Sequence, residues 1–146
     1  MTDVYVDALH EFHTVMGNQY IEDGDERDRS ALYHLRMRLI DEEALETHGA
    51  LLDGLVRINA RGKWDTSEYG DLAHLAKELA DLLYVTFGTA EALRIPMGEV
   101  FRLVHESNMR KLGPDGKPIE DAGGKFIKPP GWVNPEPEIR RLLEVS

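Results

Sequence analysis

The sequence predicts an all-α protein, a helical bundle of four to five main helices followed by an irregular segment. Two observations support this fold class. Apolar residues recur at helical spacing through most of residues 3–112, and glycines and prolines crowd residues 113–137. A chain of 146 residues is long enough to bury a core, so one domain is expected over 1–146, with 113–146 as its irregular tail.

Composition and net charge exclude several classes of function. The chain has no cysteine, which excludes disulfides, thiol catalysis and cysteine-ligated zinc. It has no 18-residue apolar run and no signal-peptide pattern at its start, so we expect no membrane partner and a cytoplasmic location. The net charge of −10 argues against a nucleic-acid partner. A nucleotide remains compatible, because a metal ion can supply positive charge locally.

The first half of the chain contains the predicted helix over 3–16 and a polar connection over 17–29, which could act as a lid. A second helix, capped by Ser30 or Asp28, runs through Glu46 to about Gly49.

A short separate helix is expected over 50–60, interrupted by Gly54, and a loop over 61–69. Trp64 in that loop is expected either to pack against the body or to stack on a base.

The third helix, from about residue 68 or 70 to Leu93, is the most apolar segment. Because it is apolar on more than one side, we expect it at a bundle centre or at a dimer interface. A fourth helix is predicted from about 98 to 112, ended by Gly113-Pro114. A last helical turn is expected over 136–144.

The tail is locally basic in an acidic protein. Its two glycine-containing turns, at Asp115-Gly116 and Gly123-Gly124, predict a small hairpin. Five cations lie in or just before this region: Arg110, Lys111, Lys117, Lys125 and Lys128. The residues alone leave two interpretations open, contact with phosphate and a plain solvated tail.

Two acidic motifs lie on core-side faces of the predicted helices. Each residue advances about 100° around a helix. Glu43 and Glu46 therefore fall about 40° and 20° to either side of Leu39, with Glu42 about 60° away. On the third helix Glu78 lies about 40° from the apolar position of Leu82, and Asp81 follows on the same flank. The apolar stripes thus continue into carboxylates.

Buried carboxylates require a counter-charge, since an isolated one costs several kcal/mol. The sequence shows no matching cluster of lysine or arginine on these faces. Mg²⁺ or Mn²⁺, which prefer oxygen ligands, would meet the requirement. Glutamate-rich helices are also common as solvated faces, and the residues alone leave both interpretations open.

Three motifs together resemble the MazG-like all-α nucleoside triphosphate pyrophosphohydrolases. They are the EExxE run of Glu42, Glu43 and Glu46, the ExxD run of Glu78 and Asp81, and Ser107-Asn108-Met109-Arg110-Lys111. The segment Gly124–Trp132 is similar to the phosphoribosyl-ATP pyrophosphohydrolase-like branch, which lies close to the MazG-like dUTPases. The resemblance covers about residues 30–132.

The resemblance implies cleavage of a nucleoside triphosphate between its α and β phosphates, with two or three Mg²⁺ or Mn²⁺ ions and a homodimer. It implies the roles of the motif residues as well. Glu43, Glu46, Glu78 and Asp81 would be metal ligands, and Asn108 and Lys111 would meet sugar or phosphate. Glu42 would orient or deprotonate the water, or instead bridge a further metal. Lys125 and Lys128 are further phosphate candidates. Tyr84 would stack on base or sugar, or be a core tyrosine.

The expected substrate is a deoxynucleotide, with dUTP first. Phosphoribosyl-ATP is the alternative within the same family, and a non-catalytic nucleotide-sensing module is the alternative in another class. A di-metal redox bundle is disfavoured, because it needs paired Glu-x-x-His motifs. The nearest match in this chain is the single Asp71-x-x-His74.

Overall fold

The computed structural model describes residues 4–17, 26–61 and 69–145. Most of the predicted 17–29 connection and Trp64 lie outside these ranges. The described residues form five helices and no strand, which confirms the all-α fold class. The helices are α1 (Val4–Met16), α2 (Glu26–Arg61), α3 (Tyr69–Ala92), α4 (Met97–Met109) and α5 (Glu136–Val145).

Two compact units make up the chain, Met1–Arg94 with α1 to α3 and Ile95–Ser146 with α4 and α5. The single domain expected over 1–146 stays a prediction. None of the helices in the described ranges is long and apolar enough to cross a bilayer.

α2 is one continuous helix of 36 residues, so the prediction of two helices separated near Gly49 was wrong. Neither Gly49 nor Gly54 has the positive φ that ends a helix at glycine. A glycine in a helix interior costs about 1 kcal/mol relative to alanine. That cost is small beside the packing of Thr47 and Ala50, which are buried on either side of Gly49. Tertiary packing therefore carries the helix through Gly49.

α2 and α3 run antiparallel, because residue pairing along them proceeds in opposite directions. Lys77 near the start of α3 approaches Glu46, whereas Gly88 near its end approaches Arg36. Few side chains of this unit are fully enclosed. The buried apolar residues of the described chain are Leu9, Ala50, Ala90 and Ala92.

α1 packs against α3 through aromatic contacts and is joined to α2 by a buried polar pair. Phe12 meets Tyr84 edge-on, with ring centroids 5.4 Å apart. His13 and Arg36 are both buried, and Arg36 Nη2 donates to His13 Nε2 over 3.4 Å. A Cβ on Gly88 would lie 3.4 Å from Arg36 Nη1, at van der Waals contact, so α3 passes close to the guanidinium at this glycine. Burial, and secondly the charge of Arg36, lowers the pKa of His13.

The C-terminal unit contains the predicted hairpin in reduced form. Two isolated antiparallel bridges, Leu112↔Pro118 and Glu120↔Phe126, replace a regular ladder. α4 ends at Met109, earlier than the expected 112. The last helix is present over Glu136–Val145, as expected for this end of the chain.

Candidate metal centre

Three carboxylates from two helices meet where α2 packs on α3. Glu43, Glu46 and Glu78 each offer an oxygen, and these oxygens all lie within 4.8 Å of one another. A buried hydrogen bond joins the two helices at the same point, since Thr47 Oγ1 donates to the main-chain oxygen of Glu78 over 3.1 Å. The sequence motifs therefore converge in space, as helical spacing predicted for these three residues.

Glu78 is the most enclosed of these carboxylates, with 3% of its side chain exposed. Lys77 Nζ donates to both of its oxygens over 3.2 Å, and His74 Nδ1 lies 3.2 Å from Oε1. A charged group at this depth requires such partners. Lys77 and His74 meet that requirement from the same helix.

Glu43 lacks an equivalent partner. Its Oε2 is buried and has no hydrogen-bond partner within the part of the chain that the structure describes. Burial raises the pKa of the Glu43 carboxyl, and the negative charges of Glu46 and Asp81 raise it further. Glu43 is thus the group in the cluster that most needs a positive charge.

Asp81 is joined to the cluster through Lys77. Lys77 Nζ lies 2.8 Å from Asp81 Oδ2 and 3.9 Å from Glu46 Oε2. Hydrogen bonds that Lys77 donates to Asp81 and Glu78 raise the pKa of Lys77. Lys77 therefore supplies one positive charge among these carboxylates, where the sequence shows no matching cluster of lysine or arginine. A lysine stem of four carbons carries the ammonium well away from the face on which its Cα lies.

The donor set fits a hard divalent cation. It consists of carboxylate oxygens alone, the ligands that Mg²⁺ and Mn²⁺ prefer. Like charges 4 to 5 Å apart repel by about 1 kcal/mol in water and by more where solvent is excluded. The unbonded buried oxygen of Glu43 supplies a further unmet ligand position. Glu43, Glu46 and Glu78 could hold such an ion, with Asp81 beside them.

The other two predicted site residues of this unit, Glu42 and Tyr84, lie outside the cluster of three carboxylates. Glu42 is exposed on α2. It precedes Glu46 by four residues, about 40° around the helix, so it flanks the cluster on the solvent side. Tyr84 is 39% exposed and contacts Phe12 of α1.

The remaining candidates belong to the C-terminal unit. Asn108 is exposed on α4, and Lys111 follows the end of that helix, where its N–H donates to the Asn108 carbonyl over 3.1 Å. Lys125 and Lys128 are exposed, and Lys128 Nζ lies 4.0 Å from the centre of the Trp132 ring. Their roles toward a substrate stay predictions.

Sequence reasoning missed three participants: Lys77, His74 and Thr47. A usable signal existed for two of them, because Lys77–Asp81 and His74–Glu78 are both spaced i,i+4 on α3. No local signal marks Thr47, whose hydrogen bond joins residues 31 apart in sequence.

The sequence profile of the phosphoribosyl-ATP pyrophosphohydrolase family matches residues 9–108, a range that includes both acidic motifs. The chain belongs to the phosphoribosyl-ATP pyrophosphohydrolase family. This membership confirms the resemblance to the MazG-like all-α superfamily and supports a hydrolase that acts on nucleotide pyrophosphate bonds.

A solved structure agrees in fold. A protein from Exiguobacterium sp. 255-15, provisionally described as an NTP pyrophosphohydrolase, is 24% identical to this chain with a TM-score of 0.50. The similarity covers 100% of both chains. A search of curated proteins found no significant match.

Proposed function

We propose that this family member is a divalent-metal-dependent nucleoside triphosphate pyrophosphohydrolase. It would cleave the bond between the α and β phosphates and release a monophosphate and pyrophosphate. One observation carries the proposal: Glu43, Glu46 and Glu78 converge with an unbonded buried oxygen on Glu43. Such a site suits a reaction in which negative phosphate oxygens must be neutralised.

In this mechanism Glu43, Glu46, Glu78 and Asp81 would hold the cation, and two or three ions are proposed for each site. Bound Mg²⁺ or Mn²⁺ would offset the phosphate charge and lower the pKa of a coordinated water. Glu42, exposed beside Glu46, orients the attacking water and accepts its proton. The water oxygen forms a new bond to the α or the β phosphorus, and the bond from that phosphorus to the bridging oxygen breaks. The bridging oxygen leaves with the other fragment, so that the products are the monophosphate and pyrophosphate.

The substrate is proposed to be a deoxynucleoside triphosphate, with dUTP as the first candidate. Asn108 and Lys111 would contact sugar or phosphate, Lys125 and Lys128 would contact phosphate, and Tyr84 would stack on base or sugar. Phosphoribosyl-ATP stays a second candidate, because the family description names it. A nucleotide-sensing module without catalysis is the alternative outside enzymes.

We also propose that the enzyme is a homodimer. A stripe of apolar residues runs along the side of α2 that faces away from α3. It consists of Leu45, Leu52 and Val56, all at least half exposed. Leu52 lies about 160° around the helix from the buried Ala50. A second copy would cover this stripe and complete the bundle.

The deciding experiment incubates the protein with canonical and deoxynucleoside triphosphates and phosphoribosyl-ATP, with Mg²⁺, with Mn²⁺ or with EDTA. Products are resolved by chromatography. Monophosphate and pyrophosphate from dUTP, dependent on the metal, are expected. Diphosphate with orthophosphate would refute the cleavage position, and binding without turnover would favour the sensing module.

A further inference from the structure

Lys77 is a positively charged residue at the carboxylate cluster to which the proposed function assigns no role. Its ammonium contacts three of the four proposed metal ligands, at 2.8 Å from Asp81, 3.2 Å from both oxygens of Glu78 and 3.9 Å from Glu46. It reaches across the groove between helices, since Glu46 belongs to α2 and the other two belong to α3. A positive charge thus already lies against the oxygens that a divalent ion would need.

Lys77 is far more exposed to solvent than the carboxylate of Glu78 that it contacts. The side chain of Lys77 is 59% exposed, whereas that of Glu78 is 3% exposed. The lysine therefore covers the cluster from the solvent side, and its removal from the cluster requires no opening of the core. The lysine stem is flexible and its ammonium is readily hydrated, so the ammonium can leave while the helix backbone stays in place.

Lys77 and a divalent ion compete for the same carboxylates. The ammonium donates to both oxygens of Glu78 and so occupies about half of the lone-pair positions of that carboxylate. A monovalent and a divalent cation sharing the same carboxylates would also repel each other. Metal binding therefore favours departure of the ammonium.

We propose that Lys77 is a resident counter-ion that holds the ligand carboxylates together in the metal-free protein and gives up its place when the divalent ion binds. The proposal rests on the metal centre of the proposed function. It assigns Lys77 a positioning role, because the residue acts through Glu46, Glu78 and Asp81. Lys77 then lowers metal affinity while it stabilises the metal-free fold.

The test measures Mn²⁺ binding directly, from the loss of the free-ion signal in electron paramagnetic resonance. Lys77→Met keeps the apolar stem and removes the charge. We expect Lys77→Met to bind Mn²⁺ about tenfold more tightly than wild type, because one competing cation is gone. Its Tm in EDTA should fall by several degrees, and the rise in Tm upon addition of Mn²⁺ should exceed that of wild type.

Two further variants make the comparison specific. Arg38→Met removes one positive charge from an exposed position on α2, five residues before Glu43 and about 140° around the helix. It should leave Mn²⁺ affinity close to wild type, so that a general change in net charge is excluded. Lys77→Arg keeps a cation at the cluster and should bind Mn²⁺ far less tightly than Lys77→Met.

The outcomes distinguish the counter-ion role of Lys77 from the metal centre on which it rests. Unchanged or weaker Mn²⁺ binding by Lys77→Met, with wild type binding normally, would overturn the counter-ion role and leave the metal centre intact. Equal tightening by Arg38→Met would also overturn it, since the effect would then be nonspecific. Failure of wild type and Lys77→Met alike to bind Mn²⁺ would refute the metal centre itself, and with it the role of Lys77.

Discussion

Thr47 on α2 donates a buried hydrogen bond of 3.1 Å to the main-chain oxygen of Glu78 on α3. The bond therefore sets the distance between the two helices at the residue whose carboxylate is most enclosed. Glu43 and Glu46 precede Thr47 by four residues and by one residue, so the same contact positions all three oxygens of the candidate metal centre. The hydrogen bond that aligns α2 with α3 therefore also fixes the geometry of the metal ligands.

Thr47→Val should weaken both the fold and the metal site. Valine has nearly the shape of threonine but cannot donate, so about 1 kcal/mol of unfolding free energy should be lost. The Mn²⁺ dissociation constant should rise severalfold, because Glu78 is then less well placed. Urea unfolding and Mn²⁺ titration measure the two effects.

Thr86→Val is the matched control for this substitution. Thr86 Oγ1 donates to Leu82 O within its own helix, over 2.7 Å, so its loss does not act between helices. This variant should leave Mn²⁺ affinity unchanged. Equal weakening of Mn²⁺ binding by the two variants would contradict the role of the interhelical bond.

Glu43→Gln should stabilise the metal-free protein. The carboxylate is buried among like charges and its Oε2 lacks a partner among the described residues, so removal of its charge relieves a cost. We expect a higher Tm in EDTA and no rise in Tm when Mn²⁺ is added. Asp41→Asn, at an exposed position of the same helix, is the control and should keep the metal response. A lower Tm for Glu43→Gln would contradict this account.

The same carboxylate predicts the direction of a pH effect. Because the pKa of Glu43 is raised in the folded state from its ordinary 4.5, the folded protein binds this proton more tightly than the unfolded chain does. Wild type should therefore lose stability relative to Glu43→Gln as pH rises from 4.5 through the raised pKa. Urea unfolding of both proteins in EDTA, from pH 4 to pH 8, measures the difference. A constant difference across this range would show that Glu43 does not titrate as proposed.

Features of the site that are set within a single helix could be predicted from the sequence. The faces of Glu43, Glu46 and Glu78 follow from about 100° per residue, and the helices themselves follow from apolar spacing. Features set by tertiary contact were missed. Gly49 looked like a helix end, but the buried neighbours Thr47 and Ala50 outweigh its small cost.

Lys77 was missed for a different reason. Helical projection assigns a direction to Cβ, whereas the ammonium lies at the end of a flexible stem and follows the local electric field. The i,i+4 spacing indicates the pair with Asp81, but the approach of the ammonium to Glu46 depends on how α2 and α3 pack, which spacing along one helix does not report.

His13 should make stability depend on pH in the opposite sense. Burial lowers the pKa of His13 from 6.5, so the unfolded chain takes up this proton first as pH falls. The stability contributed by neutral His13 is present above pH 6.5 and is lost as pH falls from 6.5 to the lowered pKa. His13→Gln, which keeps an acceptor for Arg36, should flatten this part of the profile. His48→Gln, at an exposed position, controls for loss of an imidazole and should keep the wild-type profile.

Leu52→Lys should separate the proposed homodimer. Leu52 is 50% exposed at the middle of the apolar stripe, between Leu45 and Val56, and a lysine there would bring a charge into the interface of two copies. Sedimentation should show wild type as a dimer at micromolar concentration and Leu52→Lys as a monomer of unchanged helix content. Leu143→Lys, at an exposed leucine of α5 outside the stripe, should stay dimeric. A monomeric wild type would refute the homodimer, and a dimeric Leu52→Lys would move its interface to another face.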